Sequence, residues 1–193
     1  MRVLVAGIIG AVVMFIWGAV AHMALPIGEM GIKVPAQAQQ DTVLEAVKAS
    51  TSGEGIYMYP SMDMAQWNDE AARNAFIAGN KDKAYAFVVY QPGGNPAIQS
   101  MGPNLIKQFV SCLLAAWLLA WVASLGPWSF GRRVAIAGAF ALFLWFSLAV
   151  PHWNWYLFPM QFTLGVLLEQ LIGWLLAGAA IAWWLGRRSK SAA

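Results

Sequence analysis

The segment FTLGVLLEQLIGWLLAGAAIAWWL, residues 162–185, decides the fold class. It is apolar over a length that suits a membrane-spanning helix, for which about 17–25 residues are needed. A helix can cross the bilayer because it satisfies its own backbone hydrogen bonds. Three other apolar runs have comparable length: Val3 to Leu25, Phe109 to Leu125 and Val134 to Val150. With 60% hydrophobic and only 11% charged residues, the chain is predicted to be an all-α transmembrane four-helix bundle.

The polar residues between the first two runs predict a small α/β extracytoplasmic insertion domain in that bundle. The predicted division is transmembrane helix 1 at 1–25, an extracytoplasmic α-β-α-β domain at 26–104, transmembrane helix 2 at 105–125, transmembrane helix 3 at 134–150, an outer interfacial aromatic loop at 151–161, transmembrane helix 4 at 162–186 and a cytoplasmic basic tail at 187–193. The first run also fits a signal peptide cleaved after Ala21. It is long for the apolar part of a signal peptide, so we expect a retained helix.

Within the insertion, Asp41 is predicted to cap a helix over TVLEAVKAS, and Ser61 or Asp63 to cap a second helix. GIYMYP and AYAFVVY have the composition of strands. A sheet of two strands is marginal by itself. We therefore expect it to pack on the membrane helices, on a partner or on a second copy of the chain.

Basic residues flank the apolar runs on one side only, if the four helices alternate in direction. They are Arg2, Arg132, Arg133, Arg187, Arg188 and Lys190. This is the positive-inside pattern, which places both termini in the cytoplasm and residues 26–104 outside it. The net charge of +3 is therefore a topology signal, and no nucleic-acid partner is expected.

The sequence contains no motif of a known catalytic site. P-loop, GxGxxG, HExxH, CxxC and GxSxG patterns do not occur, and the single Cys112 excludes an internal disulfide. We therefore expect no enzymatic activity, no catalytic residues and no metal site.

Two segments, MFIWGAVAHMALPIGEMGI near the start and PHWNWYLFPMQFT before the last run, resemble a group of uncharacterised bacterial inner-membrane proteins. The shared patterns are FIWGxxAHMxLPxGE and WNWYxFP. The resemblance covers the full length and is weakest in the middle segment. It implies a multi-pass protein of the bacterial inner membrane, with residues 26–104 periplasmic or extracellular. The group has no assigned activity, so it implies no functional residues.

Glu169 is the one carboxylate inside a predicted membrane helix. It lies in a stripe at helical spacing with small residues that allow close helix packing, namely Gly165, Gly173 and Ala177. It should therefore face a neighbouring helix and not lipid. A matching stripe on the first helix consists of Gly7, Ala11, Gly18 and His22.

Counting along the helices places Glu169 roughly 10 Å, and His22 roughly 6 Å, from the same side of the membrane. A polar intramembrane pair of His22 and Glu169 is thus predicted, and Ser111, Cys112 and Gln170 lie at similar depth. Two interpretations remain open. The pair could be a structural clasp worth about 1–2 kcal/mol, or an outward-facing site that handles protons or a ligand.

The segment before the last helix is rich in amphipathic rings. His152, Trp153, Asn154, Trp155 and Tyr156 are predicted to be interfacial, because such rings prefer the headgroup level. An alternative is that His22 and His152 hold haem b as axial ligands. His152 follows Pro151 and is expected outside its helix, which favours the interfacial interpretation and no cofactor.

These patterns favour an accessory or scaffold subunit of a membrane assembly, surrounded by the lipid bilayer and bound to a membrane protein partner or to further copies of itself. One alternative is a small transporter or proton-linked protein that uses Glu169 and His22. Another is an electron-transfer protein with haem on His22 and His152.

Overall fold

The computed structural model describes residues 1–187. Four of its helical stretches are long and apolar enough to cross a membrane: Arg2–Met23, Gly102–Ser124, Phe130–Tyr156 and Met160–Gly186. Their length and composition are compatible with an integral membrane protein, as the apolar runs predict. The first is α1, the second α4 and the last α7; the third consists of three parts. The predicted tail at 187–193 lies outside the described residues except for Arg187.

A separate compact unit, Val34–Pro96, lies between α1 and α4 in the chain. It contains α2 at Gln37–Ser50, β1 at Gly55–Tyr59, α3 at Glu70–Asn80 and β2 at Ala86–Tyr90. The strands pair antiparallel, with Ile56 opposite Val89. The order of elements is the one that the sequence predicts. The unit is shorter than 26–104, because residues 26–33 and 97–104 belong to the compact unit of the long helices.

The predicted helix caps in this unit are wrong. Helix α2 begins at Gln37, so Asp41 lies inside it. Asp69 caps α3, where its side chain accepts hydrogen bonds from the backbone N–H groups of Ala71 and Ala72. Asp63 caps only a short 3-10 turn at Met64–Gln66. Each helix starts at another residue than pattern reasoning chose, because several acceptable caps stand close together in the sequence.

The third long helix corrects the prediction of a loop at 151–161. Helix α5 at Phe130–Leu144 continues through a π-helical turn at Trp145–Ala149 into α6 at Val150–Tyr156. Only residues 157–159 are non-helical before α7. A proline inside a helix has no N–H to donate and its ring crowds the carbonyl of the preceding turn. The wider π turn directly before Pro151 accommodates this without ending the helix.

At one end of the bundle, all four long helices pack tightly through small side chains. The buried cluster there joins α1, α4, α5 and α7: Ala6, Leu119, Ala120, Ala123, Ala137, Ile181 and Leu185. The Arg2 guanidinium donates to the Leu185 carbonyl at 2.6 Å, and Arg133 Nε donates to the Ala123 carbonyl at 3.0 Å. This end therefore gathers the described arginines that flank the helices, and we call it the arginine end.

Toward the other end, α4 and α5 contribute fewer buried residues. The buried residues of α4 begin at Cys112, although the helix begins at Gly102. Those of the long third helix are Ala137, Gly138 and Ala141 in α5 and, farther from the arginine end, only Ala149. Helix α1, by contrast, has buried residues along its length, from Ala6 to Ala21. All four long helices thus share one buried cluster at the arginine end, whereas α4 and the third long helix bury few residues toward the opposite end, which we call the cavity end.

Candidate functional site

A cavity of about 780 Å³ lies at the cavity end of the bundle. Helices α1, α4 and α7 form most of its wall, and Leu144 of α5 contributes to the remainder. Seven polar side chains line it together with apolar and aromatic ones: His22, Glu29, Gln108, Ser111, Cys112, Glu169 and Gln170. The structure therefore brings together the polar layer that depth counting predicts, and it adds Glu29 and Gln108.

His22 and Glu169 meet within this cavity, across the contact of α1 and α7. The distance from His22 Nε2 to Glu169 Oε1 is 3.5 Å. The other ring nitrogen, Nδ1, lies 3.7 Å from Glu29 Oε1. Both distances suit ion pairs when the imidazole is protonated, and both exceed the usual hydrogen-bond length. The imidazole thus lies between two carboxylates and faces one with each nitrogen.

A chain reversal directly after α1 places Glu29. The Gly28 N–H donates to the Ala21 carbonyl at 3.1 Å, and the Gly28 backbone lies so close to the His22 ring that a Cβ would overlap it. Gly31 has φ +80°, which glycine adopts without strain. It also lies against the Phe162 backbone. Sequence reasoning missed Glu29, although the two glycines around it are a turn signal.

Two indole N–H groups donate hydrogen bonds beside the cavity, and one of these bonds joins two helices. Trp17 Nε1 donates to the Glu169 carbonyl oxygen at 2.8 Å, which joins α1 to α7. Trp174 Nε1 donates to Gln170 Oε1 at 3.0 Å within α7. The first bond fixes the backbone of Glu169 relative to α1, so the carboxylate is positioned by an anchored turn of helix.

The predicted small-residue stripes pack closely, with one exception. A Cβ at Gly173 would lie 2.5 Å from Met14 Sδ and 2.6 Å from Trp17 Cδ1, and one at Gly165 would lie 2.9 Å from the Ile27 carbonyl oxygen. Gly7 lies against Trp117, while Ala11 and Ala177 are buried in one cluster. The prediction that Gly18 packs against a neighbouring helix is wrong. Nothing lies within 4 Å of its Cβ position, because it faces the cavity.

Three further glycines pack closely and were not predicted. Gly10 lies against Ile181, Gly138 against Leu175 and Gly178 against Ala137. The last two join α5 to α7. They lie on a second face of these helices that the four-residue stripe through Glu169 does not include.

The aromatic segment lies in α6 and not in a loop. His152, Trp153, Asn154, Trp155 and Tyr156 are all helical, so the expectation that His152 lies outside its helix is wrong. The His152 ring stacks on Phe158 at 5.3 Å between centroids and is tilted toward Tyr156 at 5.6 Å. His22, by contrast, lies between Glu29 and Glu169.

The charge arrangement determines which ligands the cavity suits. Of the described residues that line it, none is Lys or Arg; Lys107 lies on α4 next to Gln108 but is not among them. The two carboxylates lie at opposite nitrogens of one imidazole, so the three groups do not converge on a single ion. Within residues 1–187, no group of three His, Cys, Asp or Glu side chains could hold a metal ion. The cavity therefore suits cations and hydrogen-bond donors, not anions.

The unit Val34–Pro96 presents a different feature, a surface without a core beneath it. None of its residues is buried. Paired Ile56 and Val89 point to the same side of the sheet, and their exposed fractions are 65% and 71%. A small domain normally buries a cluster of such side chains.

Neither a protein-family model, nor a curated protein, nor a solved structure matches the chain.

Proposed function

We propose that the protein is a non-enzymatic accessory or scaffold subunit of a membrane assembly, with Val34–Pro96 as its docking unit. The observation that carries the proposal is that this unit has no buried residue, yet presents Ile56 and Val89 side by side on one sheet face. Burial of apolar surface is the main stabilising contribution in folding and association. A partner protein that covers this face would supply it.

The proposal includes a location, the bacterial inner membrane, with both termini cytoplasmic and the docking unit periplasmic. Arg2, Arg132, Arg133 and Arg187 support this orientation, because the helix ends that carry them meet at the arginine end. Cysteine labelling tests it in a Cys112→Ala background. An impermeant maleimide should label Ser52→Cys in intact cells and Ser129→Cys only after permeabilisation. The reverse pattern would contradict the orientation.

Purification in mild detergent tests the docking role. We expect the full-length protein to elute with a second polypeptide, at a mass by light scattering above that of one chain in its micelle. Ile56→Asp with Val89→Asp should release the partner. Val34→Asp, at a still more exposed position outside the sheet, is the control and should not. A lone monomer from native membranes, or retention of the partner by the double variant, would reject the proposal.

A second candidate function is proton-linked transport through His22 and Glu169. The observation in its favour is that this pair lines a large cavity open to the outside of the bundle. The packed cluster at the arginine end opposes it, because a transported molecule must also pass there. Flux into reconstituted vesicles tests it: Glu169→Gln should abolish transport, and an unchanged flux would reject this role.

A further inference from the structure

We propose that the cavity binds a lipophilic organic monocation, a compound with one ammonium group on an aromatic or aliphatic body. This inference is independent of the docking role, since every residue that lines the cavity lies outside Val34–Pro96. It concerns binding alone and requires no transport.

The size of the cavity is that of a ligand site. Pockets for small molecules measure about 300–1,000 Å³ and combine an apolar wall with a few placed polar groups. The value of about 780 Å³ lies within that range. Phe15, Leu105, Leu144 and Trp174 provide apolar and aromatic wall on all four of the surrounding helical stretches.

The charged residues that line the cavity favour a ligand with a positive charge. Glu169 is the more buried carboxylate, with 19% of its side chain exposed, whereas that of Glu29 is 62% exposed. Glu169 is therefore the main counter-ion for an ammonium group, and Glu29 lies nearer solvent. Aromatic faces also attract cations, which adds a reason for Phe15 and Trp174 to accommodate such a group.

The wall excludes the other ligand classes. An anion would meet two carboxylates, which outnumber the single lining group able to carry a positive charge, the imidazole of His22. A metal ion would need ligands that converge, whereas Glu29 and Glu169 face opposite nitrogens of His22. A neutral apolar molecule would displace water from Glu169 and offer it no polar contact in return, so the long contact with His22 would remain the only compensation for that carboxylate among the lining charges.

Three matched probes test the proposal: 1-naphthylmethylamine, the corresponding neutral alcohol 1-naphthalenemethanol, and the anion 1-naphthoate. Binding is measured by calorimetry on the full-length protein in nanodiscs, with empty nanodiscs subtracted for lipid partitioning. We expect the amine to bind about tenfold or more tightly than the alcohol and the naphthoate, because only the amine pairs with a partly buried carboxylate.

Two variants locate the site. Glu169→Gln removes the counter-ion and should weaken amine binding about tenfold or more. Gly18→Leu fills the cavity and keeps both carboxylates; its side chain finds space, because nothing lies within 4 Å of the Gly18 Cβ position. Glu54→Gln, outside the cavity, is the control for loss of one negative charge.

The outcomes decide the proposal. Amine binding that both cavity variants lose and Glu54→Gln retains supports it. No amine binding, equal binding of the three probes, or amine binding unchanged in Gly18→Leu overturns it. If Glu169→Gln does not elute as a folded protein, Gly18→Leu alone decides.

Discussion

The imidazole of His22 faces Glu169 with one nitrogen, at 3.5 Å, and Glu29 with the other, at 3.7 Å. This relationship joins α1, the reversal that follows it, and α7 at one point of the cavity. The His22 side chain is 48% exposed, and both distances exceed the usual hydrogen-bond length, so neither interaction is a close pair. A ring held loosely between two carboxylates at a cavity is better suited to meeting a ligand than to fixing the helices.

The first prediction concerns the energy of this pair. In a double-mutant cycle of His22→Gln and Glu169→Gln, we expect a coupling free energy of less than about 1 kcal/mol, because the distance is long and the imidazole is half-exposed. Unfolding by SDS titration in mixed micelles measures it. The parallel cycle with Glu29→Gln is the comparison and should give a smaller value, since Glu29 is more exposed. A coupling free energy near 2 kcal/mol would instead support the interpretation that His22 and Glu169 form a structural clasp between α1 and α7.

The second prediction concerns the contact of α5 with α7. Gly178→Ala should lower the free energy of unfolding by about 1–3 kcal/mol, as overpacking does. Its Cβ would overlap the Ala137 Cβ, and neither short side chain can rotate away, so the helices must separate. The same SDS titration measures the change.

Gly18→Ala is the matched control for Gly178→Ala. It adds the same methyl group on a helix where no atom lies within 4 Å. It should leave stability unchanged or raise it by up to about 1 kcal/mol through helix propensity. Equal losses of stability in both variants would show that the close approach of α5 and α7 at Gly178 is not the cause of the loss.

The third prediction concerns the indole that joins α1 to α7. Trp17→Phe removes the hydrogen bond to the Glu169 carbonyl, while most of the ring's apolar surface remains. We expect a loss of about 0.6–1 kcal/mol. Trp121→Phe is the control, because the Trp121 ring is about half exposed and its Nε1 donates no hydrogen bond among the described residues. If both substitutions cost the same, ring size and not the hydrogen bond carries the effect.

Sequence pattern predicts the meeting of His22 and Glu169 because both positions follow from local regularities. The four-residue stripe through Glu169 sets its direction, and the rise of a helix sets its depth. The small residues that flank it, Gly165 and Gly173, let α7 approach its neighbours closely. These quantities are properties of single helices, whereas the contact of α1 with α7, which brings the two side chains together, is a feature of the tertiary structure.

The features that sequence pattern misses depend on longer-range geometry. Glu29 reaches His22 only because the chain reverses at Gly28 and Gly31. Gly18 has the spacing of a packing residue, yet α4 and α5 are not close enough there to fill the space beside it. Pro151 is a helix breaker by rule, but a π turn before it keeps the helix continuous. In each case the neighbouring segments, not the local sequence, decide the outcome.

The fourth prediction separates the two adjacent arginines at the start of α5. Arg133 Nε donates to the Ala123 carbonyl at 3.0 Å, near the end of α4. It satisfies a carbonyl of the last helical turn and places a positive charge at the negative end of the helix dipole. Arg133→Gln should therefore lower the free energy of unfolding by about 1 kcal/mol in the SDS titration.

Arg132→Gln is the matched control, since it removes the same charge one residue away and its side chain lines a surface pocket with Trp128 and Phe140. We expect it to change stability by less than about 0.5 kcal/mol. Both variants weaken the positive-inside signal equally, so a difference between them isolates the hydrogen bond to Ala123. Equal losses in stability would instead assign the effect to the shared charge, and the contact between α4 and α5 at the arginine end would then not depend on Arg133.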